Sequence, residues 1–250
     1  FYSPMLSNSI QYKRSTAFFT GGIFSVAASS VKEFILENHG KIQLVTSTIF
    51  NKDYILTDED LEKSTDLITA IDNLVKYSDG KTIVELIGSL ISNEKLEIKI
   101  ANVPVPGIHH EKVGIFIDQD NNALSFSGSV NETWSGWTVN SEEFKVFKSW
   151  DESSAYFKSD MDQFNTLWND KKENVEVMSL PKAVESHILS YLDDPSIERL
   201  EQKIDAIHKW NSKTFIQGID SKKIEIDDNK VSIEENKRLL MKHQNDVLED

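Results

Sequence analysis

The chain has 250 residues, with 27 Lys and Arg against 41 Asp and Glu, and a net charge of -14 at pH 7. It contains no cysteine, which excludes disulfides, thiolate metal sites and cysteine nucleophiles. The pI near 4.9 and the presence of only three arginines, Arg14, Arg199 and Arg238, argue against a broad nucleic-acid-binding surface and against tight base reading by this chain alone. A chain of this length holds one substantial core and a small appended domain. No apolar run approaches the length of a membrane span, and no basic-then-apolar leader opens the chain, so no membrane partner and a cytoplasmic location are expected.

In chain order, residues 12–20 alternate and end in aromatics, as a strand does, and Gly21-Gly22 punctuates them. Ile23, Ala27, Val31, Phe34 and Ile35 recur at helical spacing, which predicts a helix over 23–38 with Gly40 as its stop. A short apolar strand follows at 41–47, then helices over 58–77 and 82–92 and a strand over 96–103, closed by Pro104 and Pro106. Strands over 110–118 and 123–128 flank Gln119-Asp120-Asn121-Asn122, a hairpin turn. A strand over 143–149, an amphipathic helix over 151–169 and a last strand over 175–180 complete the pattern. It implies an α/β fold, a mixed central sheet flanked by helices, over residues 1–180. Residues 181–250 form a helical extension, with Pro181 opening a helix over 182–212, a charged linker over 213–235 and a further helix over 234–249.

The chemistry concentrates in residues 109–131, HHEKVGIFIDQDNNALSFSGSVN. His110 and Lys112 share a parity, as do Ser129 and Asn131, so in extended chain each pair projects from one face. Gly128 permits close backbone approach beside them. An imidazole, an ammonium, a hydroxyl and a carboxamide converging on one anion suit a phosphodiester: a nucleophile or acid, a fixed positive charge, and neutral donors for the non-bridging oxygens. His109 has the opposite parity and reads as a packed or surface histidine.

This H-x-K followed by G-S-x-N resembles the signature of the phospholipase D superfamily, and most closely its nuclease branch at the N-terminus of bacterial restriction and defence helicases. FYSPMLSNSIQYKRSTAFFTGGIFSVAASSVKEFI (1–35), KIQLVTS (41–47), SGSVNETWSGW (127–137) and NSEEFKVFKSW (140–150) extend the resemblance over residues 1–180. Asp118 stands one position beyond the family's H-x-K-x4-D spacing, in a role that is mainly structural there. The resemblance implies a phospholipase D-like fold and a metal-independent, cofactor-free endonuclease. His110 would attack phosphorus to give a phosphohistidine, and a second histidine would protonate the leaving oxygen and then activate water. Lys112 and Asn131 would hold the non-bridging oxygens, and Ser129 would orient or polarise. Asn140-Ser141-Glu142 matches the family's N-x-E, which makes Glu142 the candidate for fixing the imidazole, with Glu143 as its neighbour on the opposite face.

That chemistry requires two histidines, and His39, His109, His187, His208 and His243 lack a Lys two positions on. A homodimer sharing one composite site is therefore the simplest arrangement. KRLLMKHQNDVLE (237–249) resembles the glutamine-bearing helix that precedes the nucleotide-binding loop of superfamily-two helicases, although an ordinary surface helix fits it equally. With no G-x-x-x-x-G-K-[ST] in this chain, the reading is of an N-terminal nuclease module whose helicase lies beyond residue 250. The other class is a non-catalytic dimerisation and phosphate-binding module of such a helicase. A phospholipase would normally carry two H-x-K motifs in one longer chain. Lys13 and Arg14 read as a solvated basic pair or as DNA-backbone contacts. Trp150 reads as a packing residue, and Trp134 as either a packing or a base-stacking one.

Overall fold

The computed structural model describes residues 1–19, 21, 23–49, 68–69, 71–72, 75–76, 78–103, 109–138 and 140–207. Most of the helix expected over 58–77, and all of the linker and helix expected beyond 212, lie outside these residues. So does the Trp134 side chain.

Seven strands form one mixed sheet: β1 (Gln11–Phe19), β2 (Lys41–Ile49), β3 (Leu96–Asn102), β4 (Val113–Ile117), β5 (Ala123–Gly128), β6 (Phe144–Lys148) and β7 (Glu176–Ser179), in the order β6-β5-β4-β1-β2-β3-β7. β1, β2 and β3 run parallel, whereas β4, β5 and β6 are antiparallel to their neighbours and β7 is antiparallel to β3. The α/β class and the mixed sheet flanked by helices are as the sequence pattern implies. The helices are α1 (Tyr2–Ser7), α2 (Ile23–Val26), α3 (Ala28–Lys32), α4 (Ser78–Ser92), α5 (Trp134–Thr138), α6 (Ser154–Trp168), α7 (Lys182–Leu189) and α8, residues 197–207.

Strand alternation divides the core between two faces. Tyr12, Leu44, Ile98, Ile100, Phe116 and Phe126 pack with residues of α1, α3, α4 and α7. Val45, Ala101, Val113 and Ile115 pack on the other face with Phe164 and Leu167 of α6. Each fully buried side chain of this size contributes ~1.5–3 kcal/mol relative to leaving it in water. Val184 and Ile188 of α7 and Leu200, Ile204 and Ile207 of α8 belong to the first of these clusters, so the same core continues past residue 180.

Three expected elements differ. The helix over 182–212 is two helices, Lys182–Leu189 and residues 197–207, with non-helical chain between them. The helix over 23–38 is interrupted at Ala27 (φ -120°) and ends in a π-helical turn, Glu33–Glu37, in which the Asn38 amide reaches the Glu33 carbonyl at 2.9 Å. The wider turn buries the consecutive Phe34 and Ile35 completely, which a regular helix lying on a flat sheet does less readily. The strand expected over 110–118 begins only at Val113. Upstream of it the His109 carbonyl accepts from the Ser47 hydroxyl at 2.9 Å instead of from a strand neighbour.

Asp118 closes the β4–β5 hairpin. Its carboxylate accepts from the Asp120 and Asn122 amides, both at 2.9 Å, and from Asn122 Nδ2 at 3.0 Å, while Asn121 takes a positive φ of 63°. That is an Asx-type turn, and it is what this residue does here. Gly114 meets a different demand. A Cβ there would stand 2.1 Å from the Phe126 ring, so the bare backbone is what lets that ring lie across β4.

Candidate active site

The C-terminal end of β1, the start of β4 and the end of β5 lie together at one end of the sheet, because β4 is antiparallel to β1 and β5 to β4. Past the paired Val113 and Ser127, the Gly128 amide still donates to the Lys112 carbonyl at 3.2 Å. That bond brings H-x-K alongside G-S-x-N. Strand parity carries no further than this: the Val113–Ser127 pairing sets Lys112 level with Gly128, and Ser129 and Asn131 lie beyond the end of β5.

Lys112 folds back on His110. Its Nζ lies 3.1 Å from both ring nitrogens and donates to the His110 carbonyl at 2.9 Å. His110 is exposed while Lys112 is buried. Burial lowers the Lys112 pKa and the Arg14 guanidinium lowers it further, against an opposing pull from Glu142. Burial and the Lys112 charge together lower the His110 pKa, favouring a neutral imidazole with a free lone pair.

Ser129 sits just beyond β5, and its hydroxyl donates to Glu142 Oε2 in a short contact. The Ser129 amide reaches the Glu143 carbonyl at 2.9 Å, and the Glu143 amide returns a bond to Ser129 Oγ at 3.1 Å. Gly128 makes this possible, since a Cβ there would stand 2.1 Å from the Glu143 carbonyl oxygen. Asn140 Nδ2 donates to Glu142 Oε1 at 3.1 Å. Among the described residues Glu142 is thus bonded to Ser129 and Asn140, and the imidazole it was expected to fix is bonded to Lys112. Asn131 accepts through Oδ1 from the Thr16 hydroxyl at 3.3 Å, which leaves its amide nitrogen as the donor end.

Beneath the loop lies a polar network that the sequence did not announce. Arg14 is fully buried, not solvated, and Lys13 is half-buried, donating to Gln43 at 2.9 Å with its ammonium 5.5 Å from the Phe164 ring centroid. The basic pair is separated because adjacent strand residues face opposite layers, and both layers are covered. Arg14 Nε pairs with Glu132 at 2.8 Å, and Nη2 donates to the Val130 carbonyl at 2.5 Å. The guanidinium carbon lies 4.9 Å from the centroid of the Phe126 ring. Glu132 also accepts from the Tyr2 hydroxyl at 2.8 Å and from the Tyr12 hydroxyl at 3.1 Å. Burial, and then the Glu132 charge, raise both tyrosine pKa values well above the usual 10.0. The available signal was the shared parity of Tyr12, Arg14 and Thr16 on one strand.

His109 lies on the opposite face, with Nε2 2.7 Å from Ser15 Oγ, and is a packed histidine as its parity implied. Trp137 is partly buried against Tyr2, at 4.6 Å between ring centroids. Trp150 contradicts its reading as a packing residue: it is 56% exposed, because it follows β6, which has no strand on its outer side among the described residues. Among the described residues no group of three or more His, Cys, Asp and Glu side chains is arranged to hold a metal ion. No described helix is long and apolar enough to cross a membrane.

Comparison with protein-family models and with curated proteins gives no match for this chain. Among solved structures it is similar to a phospholipase D family member, Nuc from Salmonella typhimurium, with 15% identity and a TM-score of 0.36 over 71% of this chain and 88% of that one. It is also similar to NucT from Helicobacter pylori, with 17% identity and a TM-score of 0.38 over 70% of this chain and 87% of that one.

Proposed function

We propose that this chain is a metal-independent phosphodiesterase of the phospholipase D type, an endonuclease acting on DNA as the module of a restriction or phage-defence helicase. The observation that carries the reading is the Lys112 ammonium on the His110 ring, in a segment whose Lys112 carbonyl takes the amide of Gly128, the residue before Ser129. A buried ammonium beside a histidine held neutral suits an anionic ester substrate: an unprotonated nucleophile, whose lone pair is released when the ammonium turns to the ester, and a positive charge for the non-bridging oxygens.

In this reading a His110 ring nitrogen forms a bond to phosphorus as the P–O bond to the leaving group breaks. A second His110, from another copy of the chain in a homodimer, protonates that leaving oxygen. The same histidine then takes a proton from water, whose oxygen displaces the P–N bond and frees His110. Lys112 and the Asn131 amide hold the non-bridging oxygens. Ser129, bonded to Glu142, fixes the loop that presents Asn131. Glu142 then acts on the serine and not on the imidazole.

The acidic balance of the chain, -14 overall, favours a second reading, a dimerisation and phosphate-binding module that relies on its attached helicase for DNA affinity. Plasmid nicking in EDTA separates the two. The proposal expects conversion of supercoiled to open-circular DNA by the wild type and none by His110→Ala. Cleavage that requires a divalent ion, or that survives the substitution, overturns the mechanism. A strict monomer by sedimentation at assay concentration overturns the shared site.

A further inference from the structure

We propose that Arg14 is a positioning residue for the Ser129–Val130–Asn131 loop, acting through the Val130 carbonyl and through a Glu132 carboxylate locked by Tyr2 and Tyr12. The inference rests on the phosphodiesterase reading above and adds to it a residue that no part of the signature contains.

The Ser129 end of the loop is held by Glu142 and Glu143, and the residues after it depend on other partners. Ser129 is exposed, Asn131 is half-buried, and neither lies within a strand. Val130, between them, has its side chain in the core and its carbonyl on Arg14 Nη2. Two residues later, Glu132 bonds Arg14 Nε through its carboxylate and Thr16 Oγ1 through its amide at 3.1 Å. A single guanidinium therefore grips the segment beyond the serine at one backbone carbonyl and, two residues on, at one side-chain carboxylate, in the planar fork that Arg offers and Lys cannot. Thr16, two residues along the same strand face, adds to the hold: its Oγ1 takes the Glu132 amide, and its one proton is shared between the Phe18 carbonyl at 3.2 Å and Asn131 Oδ1 at 3.3 Å.

The arrangement is costly to keep. Arg14 is fully buried, and its Nη1 has no hydrogen-bond partner among the described residues. Replacing a buried ion pair with apolar side chains of similar volume is often neutral or stabilising, so stability alone is a weak reason for this pair. Placement of the loop is a sufficient one. It also explains the two tyrosines. Tyr2 comes from α1 and Tyr12 from β1, and both converge on one carboxylate 120 or more residues away in sequence. They hold Glu132 from the side that Arg14 leaves open.

The test compares the wild type with Arg14→Lys and Tyr12→Phe, measuring amide hydrogen exchange at Ser129 and Glu132 together with EDTA-resistant phosphodiesterase kinetics. Arg14→Lys keeps the charge and loses the fork. Tyr12→Phe keeps the ring, stacked on Phe116 at 4.5 Å, and loses one donor, so it reports even if the lysine variant fails to fold. Exchange at both amides should quicken by about tenfold or more while the β1–β2 amides stay protected. Catalysis should fall in kcat, by about 100-fold for Arg14→Lys, the cost of a misplacement near 1 Å, with KM changed less than about threefold. Unchanged exchange at Ser129 and Glu132 overturns the inference, and so does faster exchange with kcat intact. Faster exchange in proteins that all lack activity, wild type included, leaves the clamp standing and overturns the phosphodiesterase reading.

Discussion

Lowering the pH should destabilise this protein through His109, and the size of the effect follows from its surroundings. The imidazole is 3% exposed, with Nε2 on Ser15 Oγ at 2.7 Å. Burial lowers its pKa to about 4; Glu111 opposes the shift, and Lys172, Lys112 and His110 reinforce it. In the unfolded chain the same group titrates at 6.5. Between these values the unfolded state binds a proton that the native state refuses, so stability rises with pH across this window. The native state is least penalised above 6.5, loses up to about 1.4 kcal/mol per unit as pH falls from 6.5 toward 4, and reaches a total near 3 kcal/mol. Other groups also titrate there, so the informative quantity is a difference. Urea denaturation of the wild type and of His109→Gln, at intervals from pH 7.5 to 4, should give stabilities that change relative to one another by that amount. The loss should fall on the wild type. Parallel curves across the window would refute the reasoning, since they would mean that His109 accepts its proton in the native state as readily as in the unfolded one.

Two further outcomes follow from the packing and the charges. The His110 imidazole should titrate below the ordinary 6.5 in an NMR experiment on the native protein, and Lys112→Gln should move its midpoint upward by removing the adjacent ammonium; a midpoint unmoved by the substitution contradicts the pairing. Gly114→Ala should cost ~1–3 kcal/mol by chemical denaturation, because its Cβ would meet the buried Phe126 ring at 2.1 Å and overpack a filled core; wild-type stability would show that the ring has room to move.

Much of the fold was legible because it depends on local pattern. Alternation marked β1, β3 and the β4–β5 hairpin, and the Asp118–Asn122 turn carries its own hydrogen bonds whatever surrounds it. The side chains proposed to bear the chemistry could be named from sequence too, because H-x-K and G-S-x-N each lie within a few residues. Parity even assigned His109 to the face away from His110. What pattern reading mistook were features set by distant partners. Trp150 looked like core because large aromatics near strand ends usually are, but strand order put β6 at the sheet edge. The helix over 23–38 breaks at Ala27 and ends in the wider turn that holds the buried Phe34 and Ile35; periodicity marked neither the break nor the turn.

The sequence by itself determined which groups stand close along the chain, the imidazole and ammonium of H-x-K and the hydroxyl and carboxamide of G-S-x-N, since those are fixed by residue identity and short spacing. Only the tertiary structure decided how they are held. Arg14 is buried because Glu132, 118 residues away, arrives beside it together with two tyrosines, and Glu142 meets Ser129 because Gly128 lets the approach to β6 come close. Period and parity name the face on which a side chain stands. They carry no information about what that face meets, which is settled by strand order and by the shared burial of charges that neither strand could bury alone.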